Sequence, residues 1–142
     1  MGKTILVPID GSEQSETALE YALSEFPDAD ITVLNVFDPI DAGYDAPVGM
    51  PGGSQEWYEN AKEQSEALFE NAQRTADEHG ATLDTATEMG RPAGVIVEYA
   101  GEEEFDQIIM GSHGRSGVSR ILLGSVAETV VRRATMPVTV VR

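Results

Sequence analysis

The chain has 142 residues, 41% of them hydrophobic, enough for one domain of ordinary size with a buried core. Nine Lys and Arg stand against 25 Asp and Glu, a formal net charge of −16, and such a surface repels nucleic acid and anionic membrane. The absence of cysteine excludes disulfides and thiolate metal sites, and no run of about 18 apolar residues marks a membrane span. The opening residues, Met1 to Ile5, carry no charged segment ahead of a long apolar stretch, so no secretory leader is expected and the chain reads as cytoplasmic. Lys3 and Lys62 are the only lysines; an acidic, lysine-poor surface fits a halophilic protein, whose self-repulsion salt screens. The charge is uneven. Residues 1–90 hold 3 basic against 19 acidic residues, whereas residues 91–142 hold 6 of each, so an anion is better sought in the second segment.

Lys3 to Asp10 (KTILVPID) is a nearly continuous apolar run, as in a strand buried on both faces. Ala18, Leu19, Ala22, Leu23 and Phe26 then fall on one helical face, and Pro27-Asp28 stops that helix. Residues 30–37 form a second strand. Residues 38–54 contain three prolines and four glycines and read as a long loop, a kind commonly functional in compact domains. Trp57, Ala61, Leu68, Ala72 and Ala76 mark a long amphipathic helix closed by His79 and Gly80. Residues 82–88 alternate as a third strand. Pro92 opens a helix bearing Val95, Ile96 and Tyr99, which Gly101 ends. Residues 106–110 are a fourth strand, 125–133 a helix and 137–142 a fifth strand. This strict alternation predicts a single α/β domain over residues 1–142, with a five-stranded parallel sheet and helices on both faces. In such sheets ligands bind at the carboxyl ends of strands where the order reverses; for the order 3-2-1-4-5 these are the ends of the first and fourth strands, Asp10 and Met110-Gly111.

After the fourth strand come Gly111, Gly114 and, nine intervening residues later, Gly124-Ser125 at the start of a helix. Glycine lets backbone N–H groups approach an anion, and a helix N-terminus adds orphan donors and partial positive charge. Gly111 and Gly114 equally suit a tight strand exit. Ser125-x-x-Glu128 is also a capping-box pattern, which places Ser125 as the N-cap. Arg115 and Arg120 lie beside this loop in an otherwise acidic chain. Walker-type and GxGxxG patterns are absent. The first helix carries Glu13 and Glu16 in its opening turn, where they complement the dipole and repel phosphate. Phosphates therefore belong at the second glycine loop. Asp10 is the candidate for ribose hydroxyls or for a metal, through nucleotide-bound Mg2+, with Asp-Gly turn chemistry as the plain alternative.

Gly111-x2-Gly114-x9-Gly124-Ser125 resembles the ATP-binding signature of universal stress proteins. Residues 5–12 and 134–141 resemble that family's first and last strands, so the likeness spans essentially the whole chain. The resemblance implies a Rossmann-like, adenine nucleotide alpha hydrolase-like fold and an ATP-binding stress-response module, with ATP alone or with Mg2+. It implies that Asp10 contacts ribose, with Pro8 and Ile9 lining the pocket. Val36 and Met110 would meet adenine, and Gly111, His113, Gly114, Arg115, Gly124, Ser125 and Val126 would wrap the ribose and phosphates. It further implies a homodimer through the last strand, residues 137–142, whose β-branched character suits edge pairing.

Other functions are weighed against this one. His79 and His113 are the only histidines, and no Gly-x-Ser-x-Gly elbow occurs, so no hydrolase constellation is visible. Slow ATP hydrolysis or autophosphorylation at Ser112, Ser116, Ser119 or Ser125 would need only positioning. A nucleotide-free interaction module is the second alternative. A flavodoxin-like carrier would place its phosphate loop after the first strand, where this chain has Glu13 and Glu16.

Overall fold

A computed structural model of the chain describes residues 2–38, 51–112 and 123–142, the side chains of 51–54 excepted. The elements in order are β1 (Thr4–Pro8), α1 (Glu13–Glu25), β2 (Asp30–Phe37), α2 (Pro51–Glu78), β3 (Leu83–Met89), α3 (Pro92–Glu102), β4 (Gln107–Gly111), α4 (Ser125–Arg133) and β5 (Val138–Val141). All five strands join one parallel sheet in the order β3-β2-β1-β4-β5. That is the Rossmann-like order expected, and it puts the topological switch between β1 and β4.

Period-two alternation in the strands divides the core between the two faces. Ile5, Val7, Ile31, Val33 and Ile109 point to one side and pack against Ala18, Leu19, Ala22 and Leu23 of α1 and Ala72 and Ala76 of α2. Leu6, Leu34, Ile108 and Met110 point to the other and meet Ile96 and Ala100 of α3 with Ala127 and Val130 of α4. Small alanines at the contacts let the helices lie close to the sheet. Fully burying a single Ile or Leu contributes roughly 1.5–3 kcal/mol, and Ile5, Leu6, Leu34, Ile108 and Ile109 are all 0% exposed.

Two boundaries differ from the sequence reading. Helix α2 already begins at Pro51, inside the expected 38–54 loop, and residues 39–50 of that loop lie outside the described residues. Proline costs nothing in a first turn, where its missing N–H would be unpaired anyway. Once the helix is nucleated, each added residue gains a bond, so the long downstream stripe carries helix back through Gly52 and Gly53. Helix α3 runs one residue past Gly101, and Glu104 at φ 56 turns the chain into β4.

At the amino ends of the strands, Asp106 ties β4 to β1. Its carboxylate accepts the Thr4 backbone N–H at 2.9 Å and the Thr4 hydroxyl at 3.1 Å, while its own N–H donates to the Thr4 carbonyl at 2.9 Å. The Thr4 backbone bond first, and the hydroxyl next, hold the Asp106 carboxyl below its ordinary value. Among the described residues no helix is long and apolar enough to cross a membrane.

Candidate functional site

At the carboxyl ends of the strands the structure opens a cleft of about 1130 Å³. Pro8, Ile9, Asp10, Val36, Met110, Gly111, Gly124, Ser125 and Val126, singled out from sequence, all line it. His113, Gly114 and Arg115 lie outside the described residues, as do Ser116, Ser119 and Arg120. A second hollow, between Leu19 of α1 and Leu68 of α2, holds only about 50 Å³, too little for any nucleotide.

The turn after β1 is tightly wired. Asp10 Oδ1 accepts the Ser12 N–H at 2.9 Å, an Asx turn that Gly11 completes at φ +84, a conformation that favours glycine. The turn role of Asp10 is therefore present in the structure. It occupies one carboxylate oxygen, and no bond to Oδ2 occurs among the described residues. Ser12 Oγ accepts the Ser15 N–H at 3.1 Å and caps α1, whose first turn holds Glu13 and Glu16. Ile9 is fixed from β2: its N–H donates to the Leu34 carbonyl at 2.8 Å, and its carbonyl accepts from Asn35 Nδ2 at 2.9 Å.

Across the switch point, β4 ends at Gly111 and α4 begins beyond the glycine loop. Ser112 is buried, and its N–H donates to the Val141 carbonyl at 2.8 Å. Its carbonyl accepts the Gly124 N–H, also at 2.8 Å, so the two ends of segment 113–123 are clasped together. Gly111 has a packing duty the sequence did not reveal. A Cβ there would stand 2.7 Å from Gln14 Cβ and 2.8 Å from the Gln14 carbonyl carbon, so only glycine admits α1 so close to β4.

The cap of α4 is corrected by one residue. Gly124, not Ser125, is the N-cap, with φ −67 and ψ 161 and no side-chain cap bond. Its carbonyl already accepts the Glu128 N–H at 3.0 Å, so Ser125 belongs to the first helical turn and the capping box does not form. Glu128 pairs instead with Arg132 at 3.0 Å on the exposed face. The first turn of α4 thus begins at the cleft with no side-chain bond from its N-cap residue. Ser125, Val126 and Ala127 of that turn all line the cleft.

The structure adds residues that the sequence reading missed. Asn35, Phe37 and Asp38 come from the end of β2, Trp57, Asn60, Ala61 and Gln64 from α2, and Arg91, Pro92 and Ala93 from the start of α3. The Gly90 N–H donates to the Phe37 carbonyl at 2.8 Å and so brings the α3 start to this rim. The strand-end rule, applied to β2 as well as to β1 and β4, would have found Asn35, Phe37 and Asp38, but not the residues of α2 and α3. Among the described residues no group of three or more His, Cys, Asp or Glu is placed to hold a metal.

Comparisons with known proteins place this geometry. The family model described as the universal stress protein family matches residues 1–142. Universal stress protein MJ0531 of Methanocaldococcus jannaschii is 39% identical over 145 residues, covering 99% of this chain and 82% of its own length. The solved structure of MJ0577 superposes with a TM-score of 0.85 at 31% identity, over 99% of this chain and 96% of that one. Two further structures share the fold: a universal stress protein in complex with cAMP, at TM-score 0.71 and 24% identity, and an Arabidopsis thaliana family protein with AMP bound, at 0.70 and 18%. The first covers 99% of this chain and 97% of its own, the second 98% and 90%. The chain belongs to the universal stress protein family.

Proposed function

We propose that this chain binds ATP in the strand-end cleft and acts as a nucleotide-dependent stress-response module. The observation that carries the reading is the start of α4, whose N-cap glycine offers no side chain and whose first turn lines the same cleft of nucleotide size as Asp10. Phosphates sit at the first-turn N–H groups of that helix. Asp10 uses Oδ2 toward ribose, and a single carboxylate beside phosphates is also the usual protein share of a nucleotide-bound Mg2+ site. Gly114, Arg115 and His113 complete the phosphate wrap. That two family members were solved with cAMP and AMP supports an adenine nucleotide here.

The partner of the bound state is a second copy. β5 is an edge strand whose four residues are all only half-buried, and Leu123 and Val131 nearby are large and exposed. Pairing along it would cover the unpaired backbone row. Sedimentation equilibrium reads this directly, and a 15.2 kDa species would overturn it. The acidic, lysine-poor composition supports a chain that works in a salt-rich cytoplasm.

Calorimetric titration with ATP and Mg2+, in dilute buffer and in molar salt, tests the function, with GTP as the control. Saturable binding of ATP but not of GTP is expected. A folded chain that binds neither would make the cleft a nucleotide-free interaction surface.

A further inference from the structure

The sheet ends in β5 on one side and in β3 on the other. β5 is half-buried along its whole length, whereas Asp84, Thr85, Thr87, Glu88 and Met89 of β3 are exposed. Backbone groups of successive strand residues point alternately to the two edges, so two bonds fix which residues of β3 face outward. The Gly90 N–H donates to the Phe37 carbonyl at 2.8 Å, which turns the even-numbered residues toward β2. The Leu83 N–H donates instead to Gln73 Oε1 of α2 at 3.2 Å, which turns the odd-numbered residues away from β2. Gln73 Nε2 also donates to the Ala81 carbonyl at 3.2 Å and so closes the amino end of this edge. Beyond it, the N–H and C=O groups of Thr85, Thr87 and Met89 point outward, and no partner takes them among the described residues.

An open strand edge is a template for another strand. β3 runs in unbroken register with β2 from Leu83 to Met89, with neither proline nor bulge to spoil pairing. Its only charges are Asp84 and Glu88, which share the sheet face of Ala86, where α3 packs. Burial first, and then Glu103, Glu88 and Asp84, raise the Tyr99 hydroxyl of α3 above its ordinary value, so these three carboxylates bear on one point beside the edge. None of the three has an ion-pair partner among the described residues.

We propose that the outer edge of β3 docks an extended basic segment of a partner protein. Backbone pairing with Thr85, Thr87 and Met89 supplies affinity, and Lys or Arg at alternate positions of the partner meets Asp84 and Glu88. A partner stretch of about five residues, roughly 17 Å, spans the open part of the edge. A second copy of β3 does not fit, since it would set like charges opposite one another. The edge lies at the far end of the sheet from β5, so the homodimer proposed above leaves it open.

A short fluorescein-labelled peptide of alternating lysine and valine is the probe, titrated into the full chain in dilute buffer and read by anisotropy. Saturable binding is expected, with none for the glutamate–valine counterpart. The peptide should slow amide exchange at Thr85, Thr87 and Met89 and leave Asp84, Ala86 and Glu88, already turned to β2, as they were. Thr87→Pro removes one outward N–H and spares the β2 ladder; it should lower peptide affinity at least about tenfold. Asp84→Asn with Glu88→Gln should lower it by a similar factor, while Glu59→Gln with Glu63→Gln, an equal change of charge at exposed positions of α2, should leave it within about twofold. Absence of binding by the parent overturns the docking edge, as does undiminished affinity in folded Thr87→Pro. Equal losses from the two charge pairs, or protection that misses the odd-numbered residues, overturn it as well, because net charge alone would then draw the peptide. Where Thr87→Pro does not fold, the exchange pattern and the charge pairs decide.

Discussion

Helices α1 and α4 begin at the same cleft, one after β1 and the other after β4. Ser12 caps α1 with its hydroxyl, and Glu13 and Glu16 complement the helix dipole from the first turn. Helix α4 begins at a glycine with no side chain to offer, and Ser125 is drawn inside the helix. A side-chain cap is worth about 1 kcal/mol, so the N-terminus of α1 is the better finished of the two. Nearness to a ligand cleft does not by itself make a helix end a phosphate site. What matters is whether the chain has already satisfied that end.

The largest effect that would test this comparison lies where α1 meets the sheet. Gly111→Ala drives a methyl into the Gln14 backbone, which cannot yield as a flexible side chain would. A loss of roughly 1–3 kcal/mol is expected, read from the urea midpoint with an unchanged slope. An unmoved midpoint would mean that α1 is not pressed against β4, and its capped end would no longer be fixed beside the cleft.

Exchanging the character of the two helix ends should have a smaller effect, this time on affinity. Ser125→Asp puts a carboxylate on the cleft-lining first residue of α4, whose present first-turn acid, Glu128, is paired with Arg132 on the exposed face. ATP affinity should fall about tenfold, or ~1.4 kcal/mol, while thermal stability holds or rises slightly. Glu13→Gln should leave ATP affinity within about twofold if phosphate binds at α4 and not at α1. Equal responses from the two variants would erase the distinction between the helices.

The smallest effect is expected at the opposite rim. The Asp106 carboxyl is depressed in the folded chain, so its stabilisation is present above the unfolded value of about 3.9 and is lost as pH falls through the folded value. Asp106→Asn should flatten the decline of Tm below about pH 4 and leave ATP affinity at neutral pH untouched. Identical acid limbs in parent and variant would show that Thr4 gains nothing from the ionised form.

The alternation of apolar runs and helical stripes made the nine elements of the described residues legible, because β1, β2 and β4 are largely buried runs, β3 and β5 are short β-branched or alternating edge segments, and the helices between them carry apolar stripes. Strand order and the switch point followed from topology rules, and Asp10, Met110 and Gly111 came with them. The start of α2 was not legible, since prolines and glycines read as a loop until tertiary packing favours a helix at Pro51. The cap of α4 was misplaced because Ser125-x-x-Glu128 satisfies a local rule that backbone geometry overrides by one residue. Trp57 and Arg91 were missed as cleft wall for a different reason. Each occupies a position whose local pattern says only helix stripe or helix start, and only the approach of α2 and α3 to the end of β2 gives it a view of the cleft.

The bond from Gly124 to the Ser112 carbonyl turns residues 113–123 into a ring with a fixed stem. Closing such a ring costs entropy that grows only with the logarithm of its contour, about 0.6 kcal/mol for each doubling. Insertions or deletions between the stem residues therefore change the ring and not the register of α4 against β4. The stem fixes the start of α4 against the end of β4 independently of the length of chain that joins them.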